Sequence, residues 1–267
     1  MVPFQSIIFM CITLGFVILA SIILPIIIKK KWQTAVYPYF LGWAIFLIFA
    51  LILESGMHLL MLRSTGDTIT GNKWLYALYG GFAAGIFEET GRFLAMKLFM
   101  KKLHDAPHNA LMYGAGHGGF EALSILGSAM LNNLIWSVLI NLGQMDKLTN
   151  GLSGDILAQV EDAISKLMTT PSYQFLLGGV ERVFAVILHI ALSVLVWFAV
   201  KKRKFWLYPL AIFIHFFVDA ATVVLAGYDV PVVLVECVVG ALTVAAALIA
   251  KLVWRKNASP IGQECEN

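Results

Sequence analysis

Charge is scarce in this chain: only 13% of its 267 residues are Asp, Glu, Lys or Arg, roughly half the usual share of a soluble domain. With 60% hydrophobic residues and a mean hydropathy of +0.82, that scarcity excludes a soluble globular protein and leaves a polytopic membrane protein. Cysteine is as sparse. Cys11 and Cys237 lie in apolar runs and Cys265 in the polar tail, which excludes a disulfide framework or a thiolate metal cluster. Cys265 stands third from the end and so misses the four-residue prenylation box. His-Glu-x-x-His, Gly-x-Ser-x-Gly and a glycine-rich phosphate loop in a plausible context are all missing, which removes the zincin, nucleophile-elbow and nucleotide-binding readings. The formal net charge of +3 comes in short basic blocks between apolar runs, so nucleic acid is not an expected partner.

Seven stretches are long enough to span a bilayer: about 5 to 28, 37 to 62, 74 to 99, 109 to 140, 172 to 200, 205 to 226 and 230 to 254. All must be helical, because lipid offers backbone groups no partners. Pro25, Pro38, Pro107, Pro171, Pro209 and Pro231 fall at or near the predicted ends, where a missing donor is tolerated. The expected fold is all-α, one integral membrane domain over 1–267 with no soluble domain. Between spans four and five, Ser153 to Met168 puts Ile156, Leu157, Val160, Ile164, Leu167 and Met168 at helical spacing. That pattern predicts an external amphipathic helix, packed as a lid over the bundle or used in substrate capture. Basic blocks at Lys29–Lys31, Lys97 with Lys101 and Lys102, Lys201–Lys204, and Lys251 with Arg255 and Lys256 alternate along the spans. The positive-inside rule then sets the N-terminus outside and the C-terminus in the cytoplasm. The first span lacks a basic n-region and reads as a retained anchor.

Against this background the charges inside the spans stand out. Glu88, Glu89 and Arg92 fall within five residues of span three, and each costs roughly 2.5 to 3.5 kcal/mol near a span's centre. Arg92 is four residues from Glu88 and three from Glu89, so it can reach either on one helix. His117 and Glu121 share a face of span four, and His215 and Asp219 a face of span six. Span five carries Glu181, Arg182 and His189. An adjacent Glu-Arg pair does not satisfy itself on one face, so partners on other helices are expected, with Glu54 and Glu236 as candidates. This set reads as structural. Counting about 1.5 Å per residue from the basic ends puts Glu88, His117, His189 and His215 at roughly 13 to 18 Å depth. Glu121 and Asp219 come out near 20 Å by the same measure. Four helices therefore deliver acid and imidazole to one level.

A carboxylate beside imidazoles, shielded from bulk water, suits activation of a water molecule for attack on a carbonyl, with imidazole or a metal stabilising the oxyanion. Intramembrane peptide hydrolysis is the reaction that fits. A proton-coupled transporter using the same Glu/His/Asp set as a relay is the alternative, weakened by the lack of an inverted repeat or of matching broken helices. A purely structural or receptor-like protein comes third, because so many midplane charges are costly.

Glu88-Glu89-Thr-Gly-Arg92, Gly-His117-Gly-Gly-Phe-Glu121-Ala, Glu181-Arg182 with His189-Ile-Ala-Leu-Ser193, and His215-x-x-x-Asp219, in that order, resemble the YhfC family of intramembrane proteases. That family is similar to the wider group of PrsW and CAAX- or bacteriocin-processing endopeptidases. The resemblance implies a bacterial cell membrane and a membrane-associated peptide or protein substrate. It makes Glu88 the base, Glu89 and Arg92 its paired support, and His117 a partner of the same water. His215 and Asp219 would hold the oxyanion or a metal. Two residues separate Glu89 from Arg92 where the CAAX enzymes have three, and Tyr113 replaces their phenylalanine four residues before His117. The group includes both metalloproteases and metal-free glutamic proteases. His117, His189 and His215, with Glu121 as a further candidate, are enough ligands for a tetrahedral zinc. The same atoms serve without metal, and because Arg92 is placed to keep Glu88 charged, the sequence leans to an optional or absent metal.

Overall fold

The computed structural model describes residues 1–258, so Cys265 lies outside the described residues. Among these the long elements are all helices: α1 (Phe4–Trp32), α2 (Tyr37–Thr65), α3 (Lys73–Leu94, prolonged by Ala95–Phe99), α4 (Asn109–Asn141), α5 (Gly154–Thr169), α6 (Tyr173–Lys201), α7 (Leu207–Gly227) and α8 (Val232–Asn257). Six of them, all but α3 and α5, are long and apolar enough to cross a membrane. In α3 the helix is continuous, but Glu88, Glu89 and Arg92 interrupt its apolar run.

Burial picks out the helix around which the others stand. In α6, 61% of the most apolar stretch is buried, against 22–28% in the other five apolar spans. It packs on α1, α3, α4, α7 and α8, and Leu192, Leu195, Val196, Trp197 and Phe198 are fully enclosed. α3 lies chiefly against α7, and α4 between α2 and α6. Small residues let these helices meet closely. A Cβ on Gly118 of α4 would stand 3.0 Å from Val186 Cα and 3.2 Å from His189 Cβ, and one on Gly85 of α3 would stand 2.9 Å from Ile212 O.

Two local features differ from the sequence expectation. Pro25 does not end α1, which runs on to Trp32. A proline cannot donate to the carbonyl four residues back, and here the freed Ser21 carbonyl accepts the Tyr39 hydroxyl at 2.6 Å. Satisfied in this way, the helix continues through lipid. Three segments, Leu47–Glu54, Ala95–Phe99 and Leu123–Gly127, adopt the wider π-type turn, as in the 3.1 Å bond from Met100 N–H to Ala95 O. Two of these begin within three residues of Arg92 or Glu121, where such turns commonly accompany functional sites.

The amphipathic α5 forms where the periodicity predicts it. Its Ile164 and Leu167 are buried with Val2, Ile140 and Phe175, so it packs over the ends of α1, α4 and α6 remote from the lysine blocks. Asn141 fastens that end by accepting from Val2 N–H at 2.8 Å and donating to Val2 O at 3.0 Å.

Candidate active site

Acid and imidazole from α3, α4, α6 and α7 meet in one enclosed network. Consecutive glutamates on a helix point about 100° apart, so Glu88 and Glu89 face different neighbours. Glu88 turns to α4, where its Oε2 lies 2.8 Å from His117 Nε2, and stands 4.0 Å from His189 Nδ1. Glu89, fully buried, takes Arg92 and the Nδ1 of His215, the latter at 2.9 Å. Arg92 Nη2 donates to His189 Nδ1 at 2.9 Å. That nitrogen therefore accepts, and the other one, Nε2, carries the proton and faces the Glu121 carboxylate. Arg182 Nη1 donates to Glu121 at 2.7 Å and also contacts Glu181. His215 Nε2 lies 3.4 Å from Asp219, whose side chain is 36% exposed and marks the open edge of the network.

The imidazole rings form a row, with His117 and His189 centroids 4.8 Å apart and His189 and His215 5.3 Å apart. Glu88, Glu121, His189, His215 and Asp219 line a cavity of about 280 Å³, walled by Gly80, Gly81 and Val218 and bounded by Glu181 and Arg182. His117 sits behind this lining, against Phe46 and Tyr113.

Glu88, Glu89, Arg92, His117, Glu121, Glu181, Arg182, His189, His215 and Asp219 thus enter one network, some with partners that differ from the expected ones, and Glu54 and Glu236 stay outside it. Among the described residues Arg92 pairs with Glu89 and makes no ion pair with Glu88, because the helix turns Glu88 away toward α4. The reason for expecting a charged Glu88 without metal disappears with that contact. Arg182 reaches Glu121 and its own neighbour Glu181 and pairs with neither Glu54 nor Glu236. It lies seven residues, two helical turns, before His189, so both project from one face of α6. That spacing was the available signal for including Arg182 in the site. Glu54 pairs instead with His58, a residue the sequence reading passed over.

The donors suit a metal. One ligand atom from each of Glu88, His117 and His189 lies within 4.8 Å of the other two, and two imidazoles plus a carboxylate is a known catalytic zinc set. Behind His189 Nε2 stands Glu121, the carboxylate–histidine arrangement that fixes a ligating imidazole, and Nδ1 can ligate once the Arg92 guanidinium is displaced from it. His117 Nδ1 is buried without a partner, leaving that nitrogen free while Nε2 meets Glu88. His215 falls outside this group and belongs with Glu89 and Asp219.

An all-helical membrane bundle with a buried acid–imidazole centre opening into a cavity fits the class of intramembrane hydrolases. The chain belongs to the YhfC intramembrane metalloprotease family, whose family model matches residues 16–239. It is 36% identical over 225 residues to the uncharacterized membrane protein YhfC of Bacillus subtilis (strain 168), covering 82% of this chain and 86% of that one. No solved structure matches. The protein is accordingly an intramembrane peptidase of the membrane, and the transporter reading is not favoured.

Proposed function

We propose that the chain, acting as one integral membrane domain, hydrolyses a peptide bond of a membrane-associated substrate at Glu88, His117 and His189, with zinc as its cofactor. The observation that carries this reading is the convergence of these three side chains, each under 10% exposed, beside a cavity within the bundle. The family description supports zinc, and so does electrostatics. Glu88 has imidazoles but no guanidinium beside it, so a buried carboxylate there lacks a fixed cation.

Zinc held by these three residues would acidify a water molecule and polarise the scissile carbonyl. The side chains supply the rest. The Glu88 carboxylate has two oxygens, and the one not holding zinc can take up a proton from water and later return it to the leaving amine, with His117 2.8 Å from Oε2 to orient the group. Glu121, steadied by Arg182, holds the His189 ring in one tautomer. Glu89, held by Arg92, faces one nitrogen of His215 and Asp219 the other, and two flanking carboxylates favour the doubly protonated ring. His215 Nε2, on the cavity wall beside Asp219, is the donor for the developing oxyanion. The basic blocks support an external N-terminus and a cytoplasmic C-terminus. A cysteine put at Ser153, in a background lacking Cys265, should then react with an impermeant thiol reagent on intact cells.

The reading is tested on purified protein by elemental analysis alongside cleavage of a panel of membrane-embedded peptides. About one zinc per chain is expected, with chelation abolishing cleavage and zinc restoring it. Full cleavage by metal-free protein would contradict it.

A further inference from the structure

At the basic end of the bundle a second cavity, of about 380 Å³, opens between α6 and α8 under the ends of α1 and α4. Its wall is apolar, built from Ile190, Val194, Ala247 and Ala250, and its rim carries Trp32, His108, Trp254 and Lys251. The rim is assembled from three elements that sequence does not bring together. Trp32 stacks on His108 at 5.3 Å and 16°, and His108 meets Trp254 at 5.0 Å. Lys31 extends over the Trp32 ring, its Nζ 4.7 Å from the centroid. Burial holds His108 below the ordinary histidine range, so at neutral pH the positive charge of the rim comes from Lys31 and Lys251. The last turns of α1 and α8 add Lys29, Lys30, Arg255 and Lys256, while Asp105 is the one acid among the described residues of this end.

We infer that this cavity binds an anionic glycerophospholipid, one acyl chain against Ile190, Ala247 and Ala250 and its phosphate headgroup between Lys31 and Lys251. Each part of the rim has a counterpart in such a lipid. Indoles settle at the headgroup level of a bilayer, lysines there attract anionic lipid, and small alanines leave room on α8 for a chain. No carboxylate lines the cavity, so the ammonium of a zwitterionic headgroup finds no charged partner there. Ile187 and Ile190 also line a larger apolar cleft of about 550 Å³ between α1, α4 and α6, so apolar surface for an acyl chain extends along α6.

The test is native mass spectrometry of the full chain, released from detergent after equilibration with equimolar phosphatidylglycerol and phosphatidylcholine of identical chains. The wild-type protein should retain phosphatidylglycerol in preference. A lysine near an anionic surface is worth about fivefold, so the K31Q/K251Q variant should retain it roughly 25-fold more weakly. The K202Q/K204Q variant, altered at exposed lysines of the same end, should behave as wild type. Filling the cavity with A247F, which changes no charge, should weaken retention as well. Equal retention of the two lipids, an equal loss in K202Q/K204Q, or no effect of A247F would each overturn the inference.

Discussion

At Glu54–His58–Tyr79 and again at Glu88–His117–His189 the chain sets a carboxylate against imidazole inside the same bundle. The first cluster is local. Glu54 and His58 are one turn apart on α2 at 3.2 Å, and the other His58 nitrogen meets the Tyr79 hydroxyl at 2.7 Å. That hydroxyl reaches Met57 Sδ at 3.2 Å, so the polar groups largely satisfy one another, and the His58 side chain is 31% exposed. The second cluster draws on separate helices, is nearly sealed, and still leaves His117 Nδ1 and Glu89 Oε2 without partners. Identical residue types therefore serve packing where neighbours on α2 and the adjacent α3 use up their bonds. They acquire chemistry where convergence leaves donors and lone pairs to spare.

The comparison can be broken most sharply at the sealed cluster. Replacing His117 with Ala should cut cleavage on the order of 10²–10⁴-fold and reduce bound zinc, while His58→Ala should leave both unchanged. Equal losses in peptide cleavage assays of the two variants would erase the distinction. Arg92→Ala strands the fully buried Glu89, so it should cost about 3–5 kcal/mol of stability and nearly all activity. Arg92→Lys supplies a point charge without the fork that spans Glu89 and His189 and should recover the stability better than the activity. Thermal melts paired with activity separate these outcomes. Glu121→Gln keeps the shape but weakens the support behind His189 and should lower zinc affinity by about 10–100-fold, measured by competition with a chromogenic chelator. Gly118→Ala crowds Val186 and His189 and should destabilise by about 1–3 kcal/mol, a loss visible in a melting curve.

How far the sequence carries can be judged from the same residues. The helices and the common depth of Glu88, His117, His189 and His215 were legible, because a fixed rise per residue and a fixed bilayer thickness leave little freedom. The choice between Glu88 and Glu89 as the partner of Arg92 was not. Both spacings, three and four, are allowed on a helix, and only the rotation of α3, which turns Glu88 to His117 and Glu89 to His215, selects Glu89. The partner of Arg182 was hidden similarly, since Glu121 lies 61 residues away on α4. Pro25 misled because its continuation depends on Tyr39, a residue of the next helix. Sequence spacing thus sets which side chains share a level, and helix rotation decides which of them touch.

The central claim is that peptide bonds are cut at the convergent cluster and not at its local counterpart. It is tested most directly by measuring cleavage of one membrane-embedded peptide substrate by Glu88→Gln and Glu54→Gln side by side, with melting curves on the same preparations. Loss of cleavage in Glu88→Gln by a factor on the order of 10²–10⁴, with both melts near wild type and Glu54→Gln still active, is the result the account predicts. Undiminished cleavage by Glu88→Gln would contradict it.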